Sequence, residues 1–589
     1  MNLLARPTTW CRLHARTLQA WSLVVLGLVL YADCLPNKLF WDDNDFFIYN
    51  AFVHDWHRIG SYFTACLTAG SGILIDYWRP ALLLIWSVAW HLWGAWPPGY
   101  HLLSVGFHIA NAVLLWRLLG DLFRDRRLAW LTALIFLVHT VQTEAVVNAS
   151  GLGDPASLFF ILAGLVLFLK FRASGRGAAR SPAYWLSLLL FVLALMAKET
   201  AIILPGLVLL TDLVLARRDG RERGWRRTAG AAVRVLWPYL VLAAVYVLLR
   251  ATVLDFVDTF NVSRAANVFT ADLRVRLLTF FGVFARYLGL LVAPVGLHME
   301  RTVPFASSFF EPLVLAGAVL FFGLLALAVA AWRRWPPVSF GLFWFFLGLA
   351  PVSNLAVPLN GVMYEHWLYL PLFGPFLALI WAGSRLAARR GWKWPVLAVL
   401  TAFILILSVL TVRRNLDWRD PIVFYKQILT YSPNSYRITN NLATEYSQVR
   451  DFGDAILTYR RAIALDPQNP LAYHNLGNTY HWRGDDELAL DQYRQAIRLD
   501  PGNRILYDAP LDLLQNLGRY QETIDLFKDF LPHAQNQAGA YRLLAQIALK
   551  GRDLPAALDY LDRAAAAAPD DAGIRRDIEA VRRLMDQTP

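Results

Sequence analysis

Residues 18–47 read LQAWSLVVLGLVLYADCLPNKLFWDDNDFF, an apolar run that ends abruptly in acid. The first half is close to the roughly 20 mostly apolar residues that a membrane-crossing helix needs. In the second half Asp42, Asp43 and Asp45 crowd between Phe40, Trp41 and Phe46, where a crossing helix would be leaving the bilayer. Aromatic side chains favour that lipid–water boundary. Neighbouring carboxylates repel, so one of them holds its proton more tightly unless a cation relieves it. Such a group suits a general base or half of a metal site. The plainer reading is a solvated loop that caps a helix, and the rest of the chain must choose between them.

The composition points to a membrane. Of 589 residues, 57% are apolar and only 17% charged, and the mean hydropathy is +0.39. That describes a many-span protein with a soluble part attached. The net charge of +12 does not argue for nucleic acid, because the arginines fall in short clusters between apolar segments, as topology requires. The three cysteines, Cys11, Cys34 and Cys66, have no metal-site spacing; a Cys34–Cys66 disulfide in an oxidising compartment is the less favoured reading. The first apolar run follows Arg6, Arg12 and Arg16 and lacks a small-residue cleavage site, so it reads as an uncleaved first span.

Eleven spans are expected, at about 18–34, 100–120, 128–147, 155–171, 182–198, 200–216, 231–250, 311–332, 337–355, 367–384 and 394–412. Segments 79–94 and 276–294 are awkward: the first is short and bounded by prolines, the second carries Arg286. With both in the interface, the clusters Arg6/Arg12/Arg16, Arg124/Arg126/Arg127, Arg172/Arg176/Arg180, residues 217–227, Arg333/Arg334 and Arg385/Arg389/Arg390/Lys393 fall on one side. By the positive-inside rule that side is cytoplasmic. The loop 35–99, the loop 251–276 and the C-terminal part then lie outside. Arg413, Arg414 and Arg419 fit this arrangement least.

The character changes near residue 430. Ser432-Pro433, Asp466-Pro467 and Asp500-Pro501 recur every 34 residues, the tetratricopeptide period. One unit carries Tyr473, Leu476, Gly477, Tyr480, Ala489, Tyr493 and Ala496; the preceding one repeats the pattern, the third (503–532) is degenerate, and 570–586 reads as a capping helix. The expected organisation is therefore all-α: a polytopic membrane domain over 1–420 with outer loop 35–99, then a tetratricopeptide α-solenoid over 430–586. Stacked helix pairs of this kind offer a concave surface for peptides or partner proteins.

Polar groups at membrane depth are functional candidates. His101, Ser104, His108 and Asn111 share one helix face; His139, Gln142, Glu144 and Asn148 crowd a span end. Asp154, Lys198-Glu199, Glu300-Arg301 and Glu365-His366 interrupt apolar sequence elsewhere. Lys198 and Glu199 are neighbours and point to different faces of a helix, so they do not simply neutralise each other. Taken singly, each group is more often an interhelical bond than a catalytic one; their convergence on one outer rim suits chemistry on a lipid-carried substrate.

Several motifs together resemble a known family. Phe40-Trp-Asp42-Asp43, Tyr77-Trp-Arg79-Pro80, Gly99-Tyr-His101 through His108, Val138-His139 through Glu144-Ala, Ala197-Lys198-Glu199-Thr200 and Glu365-His through Pro371 are similar to the transmembrane-and-tetratricopeptide O-mannosyltransferases, which belong with the protein O-mannosyltransferases in the type C glycosyltransferase fold. The chain departs from the pattern at Gly153-Asp154, which lacks an Arg before the acid, and at His366, where an Arg is expected. The resemblance implies a mannose-like sugar carried on a polyprenyl phosphate and moved, with inversion, to a protein hydroxyl on the outer face. Either of Asp42 and Asp43 would be the catalytic base; Asp42 is preferred, with Asp43 as its orienting or metal-binding neighbour. Arg79, Lys198, Arg301 and His366 would face the departing phosphate, with His101, Asp154, Glu199 and Glu365 also placed at the donor. Family members differ in metal dependence, so a divalent Mg or Mn at Asp42 and Asp43 stays open. A periplasmic-facing site in a bacterial inner membrane is the expected location. Transfer to a lipid or glycan acceptor, a membrane-anchored repeat scaffold and a transporter are the alternatives. A transporter should show inverted repeats and paired broken helices, which are not evident; a scaffold would need only one or two spans.

Overall fold

A computed structural model describes residues 9–175, 177–220, 225–256 and 267–587. Arg6, Arg176, Arg221, Arg223 and part of the 251–276 loop lie outside the described residues, as do the side chains of Arg12, Arg226, Arg227 and Arg390. By its internal contacts the chain separates into Met1–Phe424 and Tyr425–Pro589. Helices build both units, and the described residues include no β-sheet.

Among the described residues of the first unit, eight helices are long and apolar enough to cross a membrane, or nine if the bent pair Arg126–Val138 and Thr140–Val147 counts as one span. The arrangement differs from the expected eleven in specific places. Leu273–Val292, which contains the segment read as interfacial, passes on length and apolarity, because one long Arg286 side chain does not spoil a 20-residue helix. Pro182–Ala197 and Pro336–Val352 are shorter apolar helices. Segment 367–384 is divided between a turn of 3₁₀ helix, His366–Leu368, and the helix Phe373–Arg390. Pro80–Trp93 has 14 residues, a rise of about 21 Å, which is short of the hydrocarbon thickness. Its role is a platform: buried Trp86 meets Phe46 and Phe47, with ring centroids 5.8 and 5.4 Å apart, and Ser87 donates to the Val53 carbonyl. The 35–79 loop is thereby packed down onto a helix.

The polar face of Pro97–Phe123 is turned inward. His108 Nε2 donates to the Leu137 carbonyl (3.2 Å), so Nδ1 is the acceptor for the Tyr369 hydroxyl (2.8 Å). Asn111 donates to that same hydroxyl (3.2 Å) and to the Pro155 carbonyl (2.8 Å). Three segments far apart in sequence are thus tied through one phenol. Close helix approach does similar work elsewhere: a Cβ on Gly341 would collide with the Gly374 carbonyl, and one on Gly374 with the Gly341 carbonyl, so only glycine lets Pro336–Leu349 and Phe373–Arg390 come this near. The last apolar helix, Lys393–Asp417, closes the unit. Thr411 donates to the Val138 carbonyl, at the bend of the broken pair, and Asn415 donates to Asp33 and the Leu30 carbonyl at the end of the first helix. Cys34 and Cys66 are both buried free thiols, so the disulfide is not formed.

The second unit is a run of antiparallel helix pairs: Tyr436–Gln448 with Phe452–Leu465, Pro470–Arg483 with Asp486–Leu499, Ile505–Asn516 with Tyr520–Lys528, and Gln537–Lys550 with Leu554–Ala567. Ala572–Gln587 follows, burying Ile574 and Val581 along one face. The third pair departs most, as its sequence suggested: Pro510 sits inside its first helix and its second has only nine residues. Gly477 lies against the Tyr493 ring at a distance no side chain would allow, which explains the small residue at that helix crossing.

The Tyr369 bonds generate a prediction. Tyr369→Phe leaves His108 Nδ1 and an Asn111 N–H unpaired in a buried site, at a cost of about 1–3 kcal/mol. Thermal unfolding of the purified full chain should show a clear drop in Tm; an unchanged Tm would contradict the account.

Candidate functional site

The acidic loop enters the first unit at a strained turn. Trp41 has φ 61°, a left-handed conformation that a bulky residue adopts only when its surroundings enforce it. The enforcement is aromatic: Trp41 meets Phe424 edge-on at 6.0 Å, and Phe40 meets Phe424 at 5.2 Å and Trp418 at 6.3 Å. The turn delivers two carboxylates into different surroundings. Asp43 is buried, with one oxygen accepting the Phe40 N–H (3.0 Å) and the other the Ser150 N–H (2.7 Å). Asp42 is half-buried. The two neighbours thus differ in burial and in main-chain bonding.

Three cation–carboxylate pairs and one histidine–carboxylate hydrogen bond come from distant parts of the chain. Arg79 holds Glu199 through two hydrogen bonds, 2.8 and 3.2 Å. Lys198 reaches Asp154 at 2.6 Å. Lys198 and Glu199 do take different partners, because the helix Pro182–Ala197 ends at Lys198 in extended backbone. Arg301 meets Glu365 at 2.6 Å, and His366 meets Glu144 through Nδ1 at 2.6 Å. Burying an unpaired charge is costly, so a deep ion needs both a counter-ion and hydrogen bonds, and these pairs supply them. Tyr77 lies near several of these groups: Arg79 stacks over its ring at 4.2 Å, and Glu199 and Asp42 are within electrostatic reach. Burial pushes its phenol up to about 12, so it stays protonated.

Some participants were not singled out as site residues. Arg414, which fitted the topology least, is buried beside Glu365 (3.8 Å) and Asp417 (3.0 Å). It is a group of this cluster rather than a topological signal. Glu144, noted in a polar span end and in a family motif but given no role at the site, is the His366 partner. Ser150 holds Asp43 through its main chain, which no side-chain pattern announces. Burial pushes the Glu365 carboxyl up from its usual range, against the pull of Arg414 and Arg301; Glu365 also accepts the His298 N–H at 2.6 Å. The Nε atoms of Arg301 and Arg414, and Arg414 Nη2, are buried without a hydrogen-bond acceptor among the described residues. His101 is buried and donates from Nε2 to the Asn37 carbonyl (3.1 Å), which holds the loop to its neighbouring helix.

The donor set fits a resident divalent ion poorly. Divalent cations of the Mg and Ca type want six or more oxygen ligands, largely carboxylate or water. Both oxygens of Asp43 are already committed to main-chain N–H groups, and no group of three or more His, Cys, Asp or Glu side chains suited to a metal occurs among the described residues.

The helices and paired charges define a class: an all-helical, many-span membrane protein that carries a tetratricopeptide unit. Three family models match that unit, one described as a TPR repeat over residues 451–484 and two as tetratricopeptide repeats over 470–503 and 511–572. The chain is 26% identical over 398 residues to protein O-mannosyl-transferase TMTC3 of Mus musculus, covering 64% of this chain and 43% of that one. It is 25% identical over 483 residues to protein O-mannosyl-transferase TMTC4 of Homo sapiens, covering 73% and 64%. To protein O-mannosyl-transferase F38B6.6 of Caenorhabditis elegans it is 24% identical over 429 residues, covering 71% and 59%. The chain is thus similar to the transmembrane-and-tetratricopeptide O-mannosyl-transferases, the family its motifs resemble. It spans about half the length of the curated relatives it matches. Among solved structures, a crystal structure of MamA protein overlaps 26% of this chain and 83% of its own, with 20% identity and a TM-score of 0.22.

Asp43 supplies a pH prediction. Burial raises its carboxyl from 3.8 to about 7, against the lowering effect of the Phe40 and Ser150 bonds. The folded state therefore binds a proton that the unfolded chain has released, and stability falls as pH rises from about 4 to about 7. Asp43→Asn should remove this slope from the pH profile of Tm, although it lowers Tm at every pH by replacing an acceptor with a donor. An undiminished slope in the variant would contradict the assignment.

Proposed function

We propose that this chain is a glycosyltransferase of the type C kind, which moves a mannose-like sugar from a polyprenyl-phosphate carrier to a hydroxyl of a protein acceptor on the outer membrane face. The observation that carries the reading is the division of labour in the acidic turn. Asp43 is fixed by two main-chain N–H groups, and the less buried Asp42 stands beside it on a strained backbone. A base must reach its proton, and Asp42 is the carboxylate with room to do so. In this reading Asp42 takes the proton from the acceptor hydroxyl as that oxygen attacks the anomeric carbon. The bond from that carbon to the phosphate oxygen breaks on the opposite face, so configuration inverts. The polyprenyl phosphate departs with the bonding electrons.

The departing phosphate needs positive charge where its own charge grows. Arg301 and Arg414 are favoured here because buried N–H groups on both lack acceptors among the described residues. Glu365 then orients these two cations rather than binding sugar, and Glu144 does the same for His366. Arg79 and Lys198, each satisfied by Glu199 or Asp154, shape the wall of the site beside Tyr77. The Arg clusters between apolar segments favour a cytoplasmic position for the opposite face, which leaves the acidic turn outside; a bacterial inner membrane with the repeats in the periplasm is the proposed setting. The tetratricopeptide unit would hold the protein acceptor and raise its concentration near the site.

The reading is tested by following sugar transfer from a radiolabelled polyprenyl-phosphate sugar to protein. Asp42→Asn should lower the rate by about 10²- to 10⁴-fold, the usual contribution of a general base, with Tm unchanged. If Asp42→Asn transferred within twofold of wild type while Asp43→Asn failed, the roles would be reversed.

A further inference from the structure

Away from the paired charges, the first unit contains a slot of about 850 Å³ among four helices, Leu273–Val292, Pro312–Ala331, Pro336–Leu349 and Phe373–Arg390. Its size is near the upper end for small-molecule pockets. Most of the wall is aliphatic, with Leu291, Leu324, Leu342 and Phe376 among the lining residues. One end differs. There Arg334 and Trp335, at the turn between two helices, meet Trp381, Arg385 and Arg389 on a third. The Trp335 and Trp381 rings lie 6.0 Å apart, and the Arg385 guanidinium stacks over Trp381 at 5.2 Å. No Asp or Glu lines the slot, and no ion pair is formed by Arg334, Arg385 or Arg389 among the described residues.

Two independent features therefore meet: an apolar slot, and a mouth of three guanidinium groups beside two indoles. Topology alone accounts for arginines at a helix end, but not for their gathering around the opening of an apolar cavity. Basic pockets between membrane helices select anionic headgroups, guanidinium groups match phosphate through paired hydrogen bonds, and tryptophan settles at headgroup level. A soluble anion would use the mouth and leave the slot unfilled. A neutral lipid would fill the slot and leave three positive charges unmatched.

We propose that this slot binds one anionic diacyl phospholipid, with its phosphate at Arg334, Arg385 and Arg389 and its acyl chains along the apolar wall. The lipid would come from the leaflet at the membrane face that carries these arginines. It is a site separate from the acidic turn, and it stands or falls independently of the proposed reaction.

The test is native mass spectrometry of the purified full chain with phosphatidylglycerol, phosphatidylcholine or undecaprenyl phosphate added to the detergent. One phosphatidylglycerol should be retained, at least tenfold in preference to phosphatidylcholine. The variant Arg334→Gln/Arg385→Gln/Arg389→Gln, altered only at exposed side chains, should lose that preference with Tm unchanged. Ala382→Trp, which narrows the slot and leaves the charges in place, should reduce retention of phosphatidylglycerol as well. Equal retention of the two phospholipids, or an unaltered preference in the arginine variant, would overturn the proposal. So would stronger retention of undecaprenyl phosphate at equal concentration, which would give the slot to a polyprenyl carrier.

Discussion

An ion taken out of water must be paired, and the first unit is arranged around that constraint. Arg79 with Glu199, Lys198 with Asp154, and Arg301 with Glu365 each join residues separated by 44 to 120 positions in the chain, and the hydrogen bond between His366 and Glu144 joins residues 222 positions apart. Each pair therefore fixes where two remote segments meet, and losing one partner would strand a charge in a poorly solvated site. The acidic turn depends on the same principle in a milder form, because Asp43 is accommodated by two main-chain donors and by keeping its proton up to about pH 7.

This arrangement separates positioning from chemistry. The aromatic packing around Trp41, the platform helix Pro80–Trp93 and the Ser150 N–H hold the turn still. In the proposed reaction the half-buried Asp42 faces the acceptor from a rigid base, which is how a reactive group gains from orientation. Arg301 and Arg414 share Glu365 and carry N–H groups unmatched among the described residues. A site with an accessible carboxylate at one part and cations seeking an acceptor at another suits a reaction in which a proton is taken up while negative charge leaves.

Periodicity was the most legible feature. The 34-residue recurrence of Pro433, Pro467 and Pro501 located the helix pairs, because each repeat writes its own packing into neighbouring residues. The apolar segments were legible for the same local reason, but their number was not: whether 276–294 crosses, or 367–384 is one helix, depends on tertiary surroundings that a hydropathy window does not contain. The site residues were visible as polar interruptions, and their partners were not. Nothing near Glu144 identifies His366, 222 residues away. Arg414 was legible only as a poor fit to the topology, because from sequence an arginine at the end of an apolar helix carries no sign of its carboxylate partners. The preference for Asp42 over Asp43 had no physical basis in the sequence, because burial and main-chain bonding, which distinguish them, are properties of the fold.

The central claim is that this site draws its sugar from a lipid-borne phosphate outside the cytoplasm. It is tested most directly by reconstituting the full chain in liposomes with a protein acceptor, offering mannose either on polyprenyl phosphate or on a nucleotide. The account predicts transfer from the lipid-linked sugar alone. Transfer directly from the nucleotide sugar, in the absence of any polyprenyl phosphate, would contradict it.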